Sequence, residues 1–180
     1  LCLYLLSFIL TFEHPRWYHR LSWLGLLGPA LIGMAILQGR TFAHAPVRVQ
    51  VPVFCLGLFI ACMVGHGELA RLRPHPRHLT GFYLCLSIGG ALGGVFAGLL
   101  APRLFDGLFE LPLGLVLCAM LALAAWIREA SGEPAWVQTS LRALLVAATV
   151  GLVTLGLIHR REQVQASLVR VRNFYGAMRV

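Results

Sequence analysis

LTGFYLCLSIGGALGGVFAGLL, residues 79–100, decides the fold. The stretch runs for 22 residues without one charged side chain. As a helix rising about 1.5 Å per residue it is long enough to cross a hydrocarbon layer about 30 Å thick. Four more apolar runs flank it, at 21–37, 49–64, 111–127 and 143–158, and none contains an acidic residue. A single run of this kind is equally consistent with a buried helix of a soluble domain, but a succession of them is not. In a bilayer every backbone amide must be satisfied within its own segment, so these runs are expected to be helices. Composition agrees. The 180 residues are 58% hydrophobic and 12% charged, about half the charged share of a soluble domain, and the mean hydropathy is +0.78.

A shorter apolar run, Leu1 to Phe12, opens the chain. It lacks the basic start and small-residue cleavage site of a signal peptide. It reads as a spanning helix truncated on its N-terminal side. The expectation is therefore an all-α integral membrane fold with about six transmembrane helices, the first truncated, over residues 1–158. Residues 159–180 form a short polar C-terminal junction. Its end, VRVRNFYGAMRV (169–180), suits a strand. Val164, Leu168 and Val171 in the same tail are spaced as one face of a short helix.

The charge points the same way. All 15 basic residues are arginine, and they cluster between the apolar runs. The net charge of +8 is thus membrane-flank charge rather than a nucleic-acid footprint, and no nucleic-acid partner is expected. Side A is the face reached after the first run, with loops 13–20, 65–78 and 128–140. Side B holds 38–48, 101–110 and the tail. Arg16, Arg20, Arg71, Arg73, Arg77, Arg128 and Arg142 fall on side A. Arg40, Arg48, Arg103, Arg160, Arg161, Arg170, Arg172 and Arg179 fall on side B, eight against seven, so the positive-inside count does not settle the orientation. All four tryptophans lie at side A. The five cysteines sit inside apolar runs, where cysteine behaves as a small hydrophobe, so no disulfide framework is expected.

Three features carry candidate function. The first is HGELARLRPHPRH (66–78) on side A. His66 and Glu68 close an apolar run, where ionisable groups pair with one another or serve a pathway. His66 and Glu68 with Arg71 or Arg73 form a candidate proton or cation site, or else a salt-bridged cluster that pins the hairpin. Glu68 and Arg71 are three apart, close enough to pair if the helix continues through Arg71, and Pro74 is expected to stop it. The second is the glycine row Gly89, Gly90, Gly93, Gly94 and Gly98. Small residues four apart open a groove for a neighbouring helix, so this row is expected to pack within the chain. It is no dinucleotide fingerprint, because G-x-G-x-x-G does not fit. The third is Glu110, followed by Pro112. An acid in a first helical turn suits the helix dipole, which makes Glu110 a cap or, alternatively, a substrate contact. Gly28-Pro29 predicts a kink in the second helix. His14, His19, His66, His75 and His78 gather on side A, but in no H-E-x-x-H pattern and with no cysteine, so no metal site is assigned. No Ser/His/Asp set or P-loop is present.

Taken together, HGELARLRP (66–74), LTGFYL (79–84), GGALGG (89–94), Phe105, Glu110 and RNFYGAMRV (172–180), with LCLYLLSFIL and PRWYHR near the start, resemble the bacterial proteins in which a major-facilitator-like membrane region is fused to a spermidine-synthase-like domain. The resemblance covers essentially the whole chain. It implies that residues 159–180 lead into the first strand of a cytoplasmic synthase-like domain. Such a domain carries the site for decarboxylated S-adenosylmethionine and a polyamine. None of those site residues lies in these 180 positions, so no catalytic residue and no cofactor is assigned here, and any aminopropyltransferase-like activity belongs to the longer protein. The implied role is to anchor that domain in the inner membrane, C-terminus in the cytoplasm, and to move or present a small amine or related metabolite. The implied partners are the lipid bilayer and the synthase-like domain of the same chain. Two other readings use the same residues: a purely structural anchor, and a membrane redox or haem module built on the side-A histidines.

Overall fold

A computed structural model describes residues 1–38, 45–105, 109–129, 134–165, 170–173 and 176–179. The described part of the chain is helical, apart from a small hairpin near its C-terminal end. The helices are α1 (Cys2–Glu13), α2 (Arg20–Gln38), α3 (Val47–Arg71), α4 (Leu79–Val95), α5 (Ala101–Leu104), α6 (Glu110–Glu129) and α7 (Ala135–Gln165). A π-helical turn, Phe96–Leu100, joins α4 to α5, so that Pro76–Leu104 is one continuous apolar element. The widened turn has a local cause. Pro102 has no amide to bond the carbonyl of Gly98, and the Ala101 amide bonds back to Phe96 instead.

Among the described residues five helices are long and apolar enough to cross a membrane, and α1, with 12 residues, is a shorter apolar helix. The architecture is thus a helical one compatible with a membrane-spanning protein. Two helices outrun their apolar stretches. α3 continues through Arg71, two turns past Val64, and α7 spans 31 residues from Ala135. α2 continues through Pro29.

The core is one seam. Leu24, Leu27, Leu31 and Met34 recur at three- and four-residue steps along α2 and are buried. They meet Ile60 and Val64 of α3, Leu115, Ala119, Ala122 and Trp126 of α6, and Leu141, Leu145 and Leu152 of α7. α2 is the central helix, packed on α3, α7 and α6, and α1 lies against α3. Leu56, Leu92, Leu121 and Val150 point outward with most of their surface open. In water such a surface would be unfavourable, at roughly 25 cal/mol per Å², a cost that a surrounding of acyl chains would remove.

The C-terminal expectation of a strand is met by two. Arg170–Asn173 (β1) and Gly176–Arg179 (β2) pair antiparallel, with Arg170 opposite Arg179 and Asn173 opposite Gly176. Phe174 and Tyr175 of the RNFYG motif, and Leu168 of the proposed amphipathic face, lie outside the described residues.

Candidate functional site

The end of α3 serves two neighbours at once. A helix turns about 100° per residue, so His66 and Glu68 project roughly 200° apart around the axis. His66 faces α1, and Glu68 faces α2 and α6.

On the α1 side, Tyr4, Ser7, Phe8 and Thr11 occupy one helical face. Ser7 and Thr11 are buried. His66 is buried too, its Nδ1 2.9 Å from Ser7 Oγ. Ser7 donates its single proton to the Tyr4 carbonyl at 2.8 Å, which leaves its oxygen to accept from Nδ1–H of His66. The Tyr4 and Phe8 rings meet the imidazole edge-on, with centroids 4.6 and 5.5 Å away. Thr11 closes the row by donating back to the Ser7 carbonyl at 2.9 Å. A serine beside a histidine suggests a nucleophile and its base, but here the hydroxyl proton is committed to a carbonyl and both groups are enclosed. The pair is a polar contact between helices.

On the other side Glu68 accepts three hydrogen bonds. Tyr18 Oη donates to Oε1 at 2.8 Å. Arg20 grips side-on, Nε to Oε1 at 2.9 Å and Nη2 to Oε2 at 3.1 Å. The same Nη2 donates to the Ala125 carbonyl of α6 at 2.8 Å, and the guanidinium lies 5.0 Å from the ring centroid of buried Trp126. The Arg20 and Glu68 side chains are 12% and 13% exposed, so water screens the pair weakly. Burial, and then the negative charge of Glu68, push the Tyr18 phenol above its ordinary range and hold it protonated. This cluster joins the loop before α2, the start of α2, the end of α3 and the end of α6. Gly67 makes room for it, because a Cβ there would run into the Tyr18 ring.

The guanidinium that closes on Glu68 therefore comes from α2, 48 residues away in sequence. Sequence reasoning looked for it at Arg71 or Arg73 and missed Arg20 and Tyr18. The available signal was that Tyr18 and Arg20 flank the first hairpin on the same side as Glu68. Ser7 and Thr11 were missed as well; the signal there was two small hydroxyl residues four apart in the first apolar run, which does not say that His66 is the partner. α3 does continue through Arg71, and stops there because Pro74 forces Arg73 out of helical geometry. Arg71 and Arg73 are exposed at the helix end.

Glu110 sits in the first turn of α6, the position that the helix dipole favours. It is 15 residues from Ala125 on the same helix, roughly 22 Å along the axis. The structure does not bring it to Glu68 or His66. The glycine row differs from the expectation. A Cβ added at Gly89, Gly90, Gly93, Gly94 or Gly98 would meet nothing within 4 Å, and no residue of α4 or of the π turn is buried. Among the described residues the row faces outward instead of into a helix contact. The close approaches occur elsewhere. Gly28 of α2 lies under α7, where an added Cβ would be 3.5 Å from both Ala148 and Leu144, and Gly57 lies under Met34.

Two open cavities flank the ion pair. The larger, about 480 Å³, is lined by Thr11, Phe12, Tyr18, Arg20, Arg71 and Arg73, among others. The smaller, about 270 Å³, is lined by Glu68, Leu121 and Arg128, among others. Arg20 thus faces one and Glu68 the other. Among the described residues no group of three His, Cys, Asp or Glu side chains comes together to hold a metal ion. No family model matches the chain, and neither a curated protein nor a solved structure does.

Proposed function

We propose that this chain is the membrane region of a fused spermidine-synthase-like protein, and that it works as an anchor which holds that domain at the inner membrane. The observation that carries the anchoring role is the saturation of Glu68 by Tyr18 and Arg20. A carboxylate that carried a proton or an amine through the bilayer would need to exchange partners. This one is gripped by a bidentate guanidinium that is itself bonded to a carbonyl of α6. Presentation of an amine at the larger cavity is disfavoured on charge. Three arginines line that cavity, and Glu68 opens to the other one. The resemblance in HGELARLRP and RNFYGAMRV supports the identity of the partner domain and a cytoplasmic C-terminus.

The test has two parts. Alkaline-phosphatase and fluorescent-protein fusions at Val180 should give a fluorescent, phosphatase-negative C-terminus that stays with the membrane after carbonate extraction. Cells expressing the full-length protein should show no added uptake of labelled spermidine. Phosphatase activity at Val180 contradicts the orientation. Spermidine uptake that Glu68→Gln abolishes in a folded protein contradicts the anchor and restores the transport reading.

A further inference from the structure

We propose that the larger side-A cavity is a binding site for a phosphate group, supplied in the first place by the headgroup of an anionic phospholipid. The proposal goes beyond the anchoring role and stands or falls separately from it.

Three observations converge. First, Arg20, Arg71 and Arg73 all line this one cavity. Arg20 is matched by Glu68, and no acid is among the described residues that line the cavity, so its wall is basic. Among the described residues the Arg73 side chain makes neither an ion pair nor a hydrogen bond. Guanidinium groups prefer oxyanions of this geometry, since two parallel N–H donors match two phosphate oxygens. Second, the cavity lies where hydrocarbon ends. α3 stops at Arg71, α1 stops at Glu13, and Phe12 and Ala70 supply an apolar wall beneath the arginines. A lipid needs that order, with charge at the interface and apolar surface below; basic pockets between helices bind anionic headgroups at the cytoplasmic face of other membrane proteins, and with a cytoplasmic C-terminus this one takes its lipid from the opposite leaflet. Third, the volume of about 480 Å³ is within the range of ordinary ligand sites, and the cavity is open to the outside. The Tyr18 phenol is already committed to Glu68, and the Thr11 hydroxyl donates to backbone carbonyls, so the donors left to read a ligand are guanidinium groups. That selects charge and geometry rather than a neutral sugar or amide.

The experiment uses the full chain in nanodiscs of phosphatidylcholine alone or of an equimolar mixture with phosphatidylglycerol. Retained lipid is counted by native mass spectrometry after release into detergent, and the midpoint of thermal unfolding is recorded alongside. Phosphatidylglycerol should be retained and should raise the midpoint. Arg73→Gln should weaken that retention about fivefold, and Arg71→Gln with Arg73→Gln correspondingly more, since each arginine near a membrane surface contributes about 1 kcal/mol. Arg77→Gln removes the same charge from the same loop outside the cavity and should leave retention unchanged. Added inorganic phosphate and glycerol 3-phosphate separate the two sources of the group. If they displace phosphatidylglycerol and raise the midpoint themselves, the site takes a free phosphate as well. If they do neither, the lipid is the ligand. Equal retention of both lipids with no response to phosphate, or an equal loss in Arg77→Gln and Arg73→Gln, overturns the proposal. Arg73 is exposed and unpaired, so its variant is expected to fold.

Discussion

Two stretches stand out in this chain, HGELAR at 66–71 and GGALGG at 89–94, and the fold treats them in opposite ways. The first gathers four separate segments around one carboxylate. The second faces outward, and among the described residues a Cβ added at any glycine of the row would meet no neighbouring side chain or helix within 4 Å. The physics behind the two signals differs. An acid at the end of an apolar helix must be matched, because an uncompensated buried charge costs several kcal/mol. Its presence therefore demands a partner. A row of glycines only permits a close approach, and nothing forces a helix to take the offer. Where helices here do come close, single glycines suffice, as Gly28 does under α7 and Gly67 under Tyr18.

This contrast can be broken by substitution, and the largest effect is expected at the ion pair. Arg20→Met strips Glu68 of its counter-charge and removes the bond to Ala125. It should lower stability in detergent by about 3 kcal/mol or more, read from chemical or thermal unfolding. A loss under 1 kcal/mol, about what an exposed pair contributes, would mean that the carboxylate is water-matched.

Gly67→Ala comes next. Its methyl group meets the ring of Tyr18, which is held by its bond to Glu68, so overpacking should cost about 1–3 kcal/mol. Unchanged stability would show that the ring has room to move away.

Tyr18 gives a smaller effect that depends on pH. Its folded pKa lies above the unfolded value of about 10, because burial and Glu68 disfavour the phenolate. The contribution to stability is therefore complete below about pH 10 and declines as pH rises past it. The unfolding midpoint of the wild type should fall more steeply at alkaline pH than that of Tyr18→Phe. Parallel curves would exclude the Tyr18–Glu68 bond as a source of stability.

The smallest effect should come from the glycine row, and with the opposite sign. Gly93→Ala fills open space and replaces a poor helix former, so stability should stay level or rise by up to about 1 kcal/mol. A loss beyond that would place an unseen neighbour against the row.

How far the sequence could be read follows from the same distinction. The helices were legible because apolar runs near twenty residues have one solution in a bilayer. The end of α3 was not, since a helix can outlast its apolar stretch when polar side chains such as Glu68 find partners. His66 and Glu68 were legible as residues that had to be matched. Their partners Ser7 and Arg20 were not, because a matched charge announces that a partner exists without saying which of several arginines on that side supplies it. Only the order in which α1, α2 and α3 pack settles that, and hydrophobic periodicity carries little of it when every helix is apolar all round. The hairpin of β1 and β2 was half visible. Strand-friendly residues marked the tail, but a single strand was expected where two pair.

The pairing of Arg20 with Glu68 is the claim on which the rest depends, and a double-mutant cycle tests it most directly. Arg20→Met, Glu68→Met and the double variant are unfolded under one set of conditions. Each single change leaves one buried charge unmatched, whereas the double change leaves none. Two strongly destabilised single variants and a double variant that recovers much of the loss are expected, with a coupling of about 2 kcal/mol or more. Losses that simply add, with coupling below about 0.5 kcal/mol, would contradict the pairing.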